Sequence, residues 1–390
     1  MIFKNQRNTN IEILRIISIL FILFFHFLVF DLDKFHYTFS NPNMYVVYFL
    51  GILGKLGVDI FILISAYYMI ESTFTIKKLF KLCGAIYFYS FIFFVMAIII
   101  ITPAHMSISD FGQGLLPISH SAYWFMTCYI ILMLFSPYLN KLIKGLSKKS
   151  FSKIVLLSLF LWSIVPTIIP PMTSYPVQNI FVGNNFQYSQ LIWFFVLYLV
   201  GSYIRLYFNL DKISNKKLIG GFIISIIISF IGNCYFGMMD FNTSTNYWWS
   251  LPMFGVMEGS IGFSFSLENK FFIMTAAICL LLIFLKRKEF SNKYINYIAG
   301  SAFGVYLIHD NLFFRQILWG HLGINSFYNS PYFILIIIGV VLGIYITCTF
   351  IDILRRSTIE KVWIYIINNK LNFISNWIER INDSFNEKFS

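Results

Sequence analysis

Residues 10–27 read NIEILRIISILFILFFHF, and the chain stays apolar to Phe30. About 20 such residues, rising ~1.5 Å each, cover the ~30 Å of hydrocarbon in a bilayer. A helix apolar on nearly every side belongs in lipid or in a very large core. This one nevertheless carries Glu12, Arg15 and His26. At about 3.6 residues per turn, Arg15 and His26 lie close to three turns apart, so they share one face, ~16 Å apart along the axis. Charge inside a span is costly and marks function by default. Glu12, one turn before Arg15, can pair with it. The plainer alternative is a snorkelling Arg with a core His bonded to a neighbouring helix.

The rest of the chain repeats the pattern. Runs able to span occur at 11–30, 45–70, 79–101, 122–139, 151–169, 188–207, 217–236, 270–286, 295–318 and 332–354. The expected fold is therefore all-α, a polytopic membrane helix bundle of about ten spans. Composition agrees: 58% of the residues are hydrophobic and only 12% charged, about half the charged fraction of a soluble domain. Forty-six Phe and 24 Tyr exceed what one water-soluble globule of this size can bury.

The net charge of +12 would fit nucleic acid, but its placement does not. Lys77, Lys78 and Lys81, then Lys141, Lys144, Lys148, Lys149 and Lys153, then Arg205, Lys212, Lys216 and Lys217, then Lys286, Arg287, Lys288 and Lys293 fall in alternate loops. Segments 102–121 and 170–187 hold no Lys or Arg. Lys34 and Lys270 are the lone cations of the other two outer loops. This alternation sets both termini in the cytoplasm by the positive-inside rule, since one miscounted span would invert everything after it. The first run is too long for a signal-peptide core and lacks a small-x-small cleavage site, so it reads as an uncleaved span. The segment 249–267, with Pro252 and Glu258, reads as a re-entrant or surface-lying part of its outer loop.

A tail, 355–390, follows the membrane domain of 1–354. Ile359, Trp363, Ile366, Phe373, Trp377, Ile381 and Phe385 recur every three to four residues among polar ones, as in an amphipathic helix lying on the cytoplasmic face. The five cysteines are dispersed in apolar stretches with no metal-type spacing, and behave as small hydrophobes. No metal, phosphate-loop or nucleophile-elbow pattern is present.

Two further spans carry chemistry. The second contains GKLGVDIFILISAYYMI, in which Asp59 follows Gly54 and Gly57 and precedes Ser65. Small residues let helices approach closely. Asp59 can orient an imidazole, fixing its tautomer and raising its basicity, or pair with Lys55. The ninth contains SAFGVYLIHDNLFF, with Tyr306, His309 and Asp310 near mid-membrane, where they should face protein or a watered cavity. Trp124, Trp248 and Trp249 suit an aromatic belt as well as a sugar platform. His105 and His120 sit in a lysine-free outer loop and read as solvated.

At these residues the chain resembles the membrane acyltransferase family 3, bacterial integral-membrane enzymes many of which O-acetylate surface polysaccharides. Arg15 and His26 match the family's first-span pair. Gly57, Val58, Asp59, Phe61, Ile64, Ser65 and Tyr67 match its second-span motif, with Ala66 where Gly is usual. Trp124, Phe125 and Pro137 match the fourth span, and Ser301, Tyr306 and His309 the late Ser…Tyr-x-x-His element. Four motifs stand in order over about residues 10–350.

The resemblance implies an O-acetyltransferase of the cell membrane in a bacterium. Its donor would be cytoplasmic acetyl-CoA or another acyl-CoA, its acceptor a hydroxyl of a cell-envelope glycan, and its partners the lipid bilayer and these two substrates. His26, Asp59 and His309 are the expected catalytic residues. Arg15, Ser65 and Tyr306 are the expected donor-binding ones, Arg15 because a guanidinium fork matches phosphate or carbonyl oxygens. Direct transfer and an acyl-His relay both remain open. The rival reading is a transporter or flippase that uses Arg, Asp and His as an ion or substrate pathway.

Overall fold

The structure is a computed structural model. It describes residues 7–30, 41–101, 106–120, 122–168, 189–243, 268–320 and 322–369, with Asn376 and Arg380. Helices account for the regular structure among these residues. Eight are long and apolar enough to cross a membrane.

Helix α1 (Thr9–Phe30) packs along α2 (Asn43–Met69). In α2, 94% of the apolar window is buried, against 28–50% in the other seven long helices. It is the axial helix around which the rest are wrapped. Two glycines let α1 lie against it. A Cβ on Gly54 would stand 2.0 Å from Phe25 Cβ, and one on Gly57 2.5 Å from the Ser18 carbonyl oxygen. The two helices are therefore antiparallel. In their register Asp59 lies level with about Leu20, some six residues and ~9 Å along the axis from His26.

Around this pair run α3 (Ile76–Ile101), the short α4 (Ile108–Leu115) and α5 (Trp124–Gly145). Pro137 sits inside α5 and cannot donate to the Met133 carbonyl. The Ser136 hydroxyl donates to that oxygen instead, at 2.8 Å. Next comes α6 (Lys148–Leu159), which continues through a π-helical turn (Phe160–Ile164) to Val165–Ile168. It is followed by α7 (Gln190–Tyr207), α8 (Asn215–Thr243) and the shorter α9 (Phe271–Leu285). Phe91, Ile99, Ile224, Ile231, Leu335, Ile346 and Phe350 point outward. In water such a surface would aggregate; in lipid it is the solvated one, and helices keep every backbone group bonded there.

The ninth span differs from expectation. Instead of one helix over 295–318 there are three short ones, α10 (Lys293–Ala299), α11 (Ala302–His309) and α12 (Leu312–Gly320). Asn311 causes the second break. Its Oδ1 accepts from the backbone N–H of Phe313 (3.0 Å) and Phe314 (3.2 Å), capping α12 as a new helix. The freed His309 carbonyl is taken by Trp319 Nε1 at 3.2 Å. Irregular backbone at this depth is tolerated where protein or a cavity surrounds it.

The last long helix, α13 (Phe333–Ser357), leads into α14 (Ile359–Asn369), the described part of the expected amphipathic tail. Ile359, Val362, Trp363 and Tyr365 are exposed along it. The segment 249–267, Lys34, His105, Trp248 and Trp249 lie outside the described residues.

Candidate active site

Arg15, Ile19, Ile22 and His26 form one stripe on α1, at i, i+4, i+7 and i+11. A cavity runs along the C-terminal part of that stripe, against Ile19, Ile22 and His26. Its other walls are Val58 and Phe61 of α2, Trp124 and Phe125 of α5, and Phe303 and Tyr306 of α11. Trp124, which position alone assigns to an aromatic belt before a substrate contact, lines this cavity.

The broken ninth span brings His309 to His26. His26 Nδ1 and His309 Nε2 are 2.9 Å apart, and the His309 side chain is wholly buried. His309 Nδ1 lies 2.6 Å from the Val305 carbonyl oxygen. A carbonyl only accepts, so His309 Nδ1 carries the hydrogen. In a neutral ring His309 Nε2 is then an acceptor, and His26 Nδ1 must be the donor to it. For two neutral imidazoles this leaves one arrangement, in which His26 Nε2 keeps its lone pair. Asp310 Oδ1 stands 3.7 Å from His26 Nδ1 and 3.7 Å from Arg315 Nη1. A carboxylate and a guanidinium thus flank the pair on its far side. The Arg315 guanidinium also lies 4.8 Å over the Phe30 ring.

Tyr306 sits between this pair and the cavity wall, its ring 6.5 Å from His26 and 5.5 Å from Phe125. Its buried hydroxyl faces Asp310 without closing a hydrogen bond of good geometry. Tyr123 donates to the Leu307 carbonyl (3.1 Å) and accepts from Asn311 Nδ2 (2.5 Å), which fixes α11 and its break against α5.

The other expected residues are placed apart from the histidines. Asp59 Oδ1 accepts from Trp193 Nε1 of α7 at 2.9 Å. Among the described residues it is the Asp310 carboxylate that stands by His26, so orientation of the imidazole by Asp59 is not what the geometry gives. Nor does Asp59 pair with Lys55, whose Nζ is 2.8 Å from Glu268 Oε1 and 4.6 Å over the Phe25 ring. Ser65 Oγ donates to the Phe61 carbonyl (2.9 Å) and accepts from the Tyr129 hydroxyl (3.2 Å).

Arg15 bonds Glu12 Oε1 at 2.8 Å, its side chain 24% exposed. The Ser65–Tyr129 bond joins α2 to α5. Tyr129 in turn stacks on Phe125, a cavity wall, with ring centroids 6.1 Å apart. Ser65, Tyr129 and Phe125 thus run in contact toward the cavity that His26 lines. Ser301, at the first break, accepts from Arg356 Nη1 at 3.0 Å. His120 is exposed, its Nδ1 3.2 Å from the Ser119 hydroxyl of its own loop. Among the described residues no His, Cys, Asp or Glu cluster is placed to hold a metal ion.

Residues 8–349 match the acyltransferase domain of acyltransferase family 3. The chain belongs to that family. No curated protein and no solved structure matches it. It is thus a multi-pass membrane acyltransferase of family 3, and its class of chemistry is the movement of an acyl group. In this family 3 chain, sequence reasoning missed three parts of the site. Arg315 was legible only as a cation inside an expected span, six residues past His309. Trp193 looks like any interfacial aromatic. Tyr123 and Asn311 carry no local mark of their mutual bond.

Proposed function

We propose that the protein is an O-acetyltransferase, moving acetyl from cytoplasmic acetyl-CoA to a hydroxyl of an extracytoplasmic envelope glycan in a bacterial cell membrane. The observation that carries this reading is the hydrogen-bonded His26–His309 pair at a cavity, with Arg15 on the same helical stripe. In this scheme His26 Nε2 is the general base. The acceptor hydroxyl oxygen attacks the thioester carbonyl carbon while His26 takes its proton. The C–S bond then breaks, and the proton passes from His26 to the departing thiolate. Base assistance of this kind contributes about 10²–10⁴-fold.

His309 holds His26 in the tautomer that leaves Nε2 free, and Asp310 stabilises the imidazolium that forms. Arg15 meets phosphate or carbonyl oxygens of the donor, and the basic inner loops concentrate that polyanion. Ser65 and Tyr306 border the route between the two. Asp59 holds α7 against α2 through Trp193. An acyl-His26 relay uses the same nitrogen as nucleophile.

The lysine and arginine alternation supports cytoplasmic termini, which sets Arg15 toward the cytosol and His26 in the outer half. A transport pathway through the same charges is the competing use of such residues, but the family's chemistry is acyl transfer. Purified protein given radiolabelled acetyl-CoA and envelope glycan is the test. Label should appear on the glycan with wild type and vanish with His26→Ala. Transfer undiminished in His26→Ala removes His26 from the base role, and no transfer by wild type removes the reading.

A further inference from the structure

Beyond the histidine pair, a second set of buried charges gathers where α13, α14 and α3 meet. Asp352 Oδ1 accepts from Tyr89 Oη (2.9 Å) and from Arg355 Nε (2.9 Å). Arg355 Nη1 also donates to Glu360 Oε2 at 2.9 Å, and Glu360 Oε1 lies 2.5 Å from Lys81 Nζ. Asp352 is 1% exposed, and Arg355 and Glu360 are each 9% exposed. Two anions meet two cations, three of the four buried and Lys81 reaching in from solvent with its side chain 54% exposed.

This set touches the helix that bears His309. A Cβ on Gly304 would stand 2.1 Å from the Asp352 carboxyl carbon, so the α11 backbone rests directly on that carboxylate. His309 follows Gly304 by five residues, ~7.5 Å along the helix. Arg356 grips the preceding break, donating to the Tyr297 carbonyl (2.9 Å) and to Ser301 Oγ (3.0 Å). At the other end Glu360 lies in the first turn of α14. The Trp363 indole of α14 lies against Gly84 of α3, while Ile359, Val362 and Tyr365 remain open to lipid.

We infer that Asp352, Arg355 and Glu360 are positioning residues that set the height of α11, and hence of His309, from the amphipathic helix α14. The inference rests on the acyl-transfer reading of the His26–His309 pair. An α11 short at both ends and cut from its neighbours has little stiffness of its own. Its register is therefore decided by what it leans on. Misplacing a reacting group by ~1 Å costs about 10²-fold in rate.

The test uses full-length protein in lipid nanodiscs, with Tyr89→Phe, Asp352→Asn and Glu360→Gln. Each should lower kcat about 10- to 100-fold with the donor KM held within about twofold, the signature of lost alignment rather than lost binding. The ring-nitrogen NMR signals of labelled His26 and His309 should shift in the same variants. Tyr89→Phe removes one hydroxyl and keeps the ring, so it decides the matter if the charge variants fail to fold. Folded variants with wild-type kcat and unmoved imidazole signals overturn the inference. If wild type transfers nothing, the acyl-transfer reading fails instead. The imidazole signals still judge the positioning: shifted supports it, unmoved refutes it.

Discussion

The imidazole of His309 has a defined task because Val305 leaves it no choice of tautomer. Its Nε2 must accept from His26, so a replacement that can still accept should keep part of the rate. His309→Gln is expected to retain measurably more kcat than His309→Ala, which should fall by roughly 10²-fold or more. Steady-state kinetics of the two variants checks this, and equal losses would show that the acceptor atom is immaterial. Arg15 and His26 were legible from the sequence because helical periodicity alone sets them on one face. The partner of Asp59 was not. The Trp193 that binds it is 134 positions away, and nothing local to either residue encodes a bond between spans. Lys55 was misjudged for the same reason, since Glu268 claims it from 213 positions away.

Among the helices, α2 carries the arrangement. Gly54 admits Phe25, the neighbour of His26, so Gly54→Ala is expected to push α1 outward. Transfer should drop at least about tenfold, and the protein in detergent should melt earlier, by thermal unfolding. The Lys55–Glu268 pair, with side chains 5% and 1% exposed, allows a sharper cycle. Lys55→Met alone should destabilise by about 3–5 kcal/mol, while Lys55→Met with Glu268→Met should recover most of that, because the uncompensated buried charge is what costs. Thermal melts of both variants decide it. The helices themselves were readable from hydropathy, and the glycines of α2 from their spacing. The division of the ninth span was not read, since its apolar run is continuous over 295–318. The cue was Asn311 beside Asp310: an N-cap residue in the middle of an apolar stretch starts a helix rather than continuing one.

Taken as a whole, the bundle solves a problem of compartments. In the proposed reaction a polyanionic donor stays on one side of the membrane and a glycan hydroxyl on the other, with the α1 stripe reaching toward both. The polytopic helical class was open to sequence reading because apolar run length is a property of the chain alone. Closure of the site was not, since it depends on how α5, α11 and α13 pack around α1 and α2. The most direct measurement is sided transfer in inside-out vesicles, with the glycan sealed in the lumen and radiolabelled acetyl-CoA added outside. Label should accumulate on the lumenal glycan with wild type and be absent with His26→Ala. Label confined to glycan on the donor's side, or equal lumenal labelling by His26→Ala, would contradict the account.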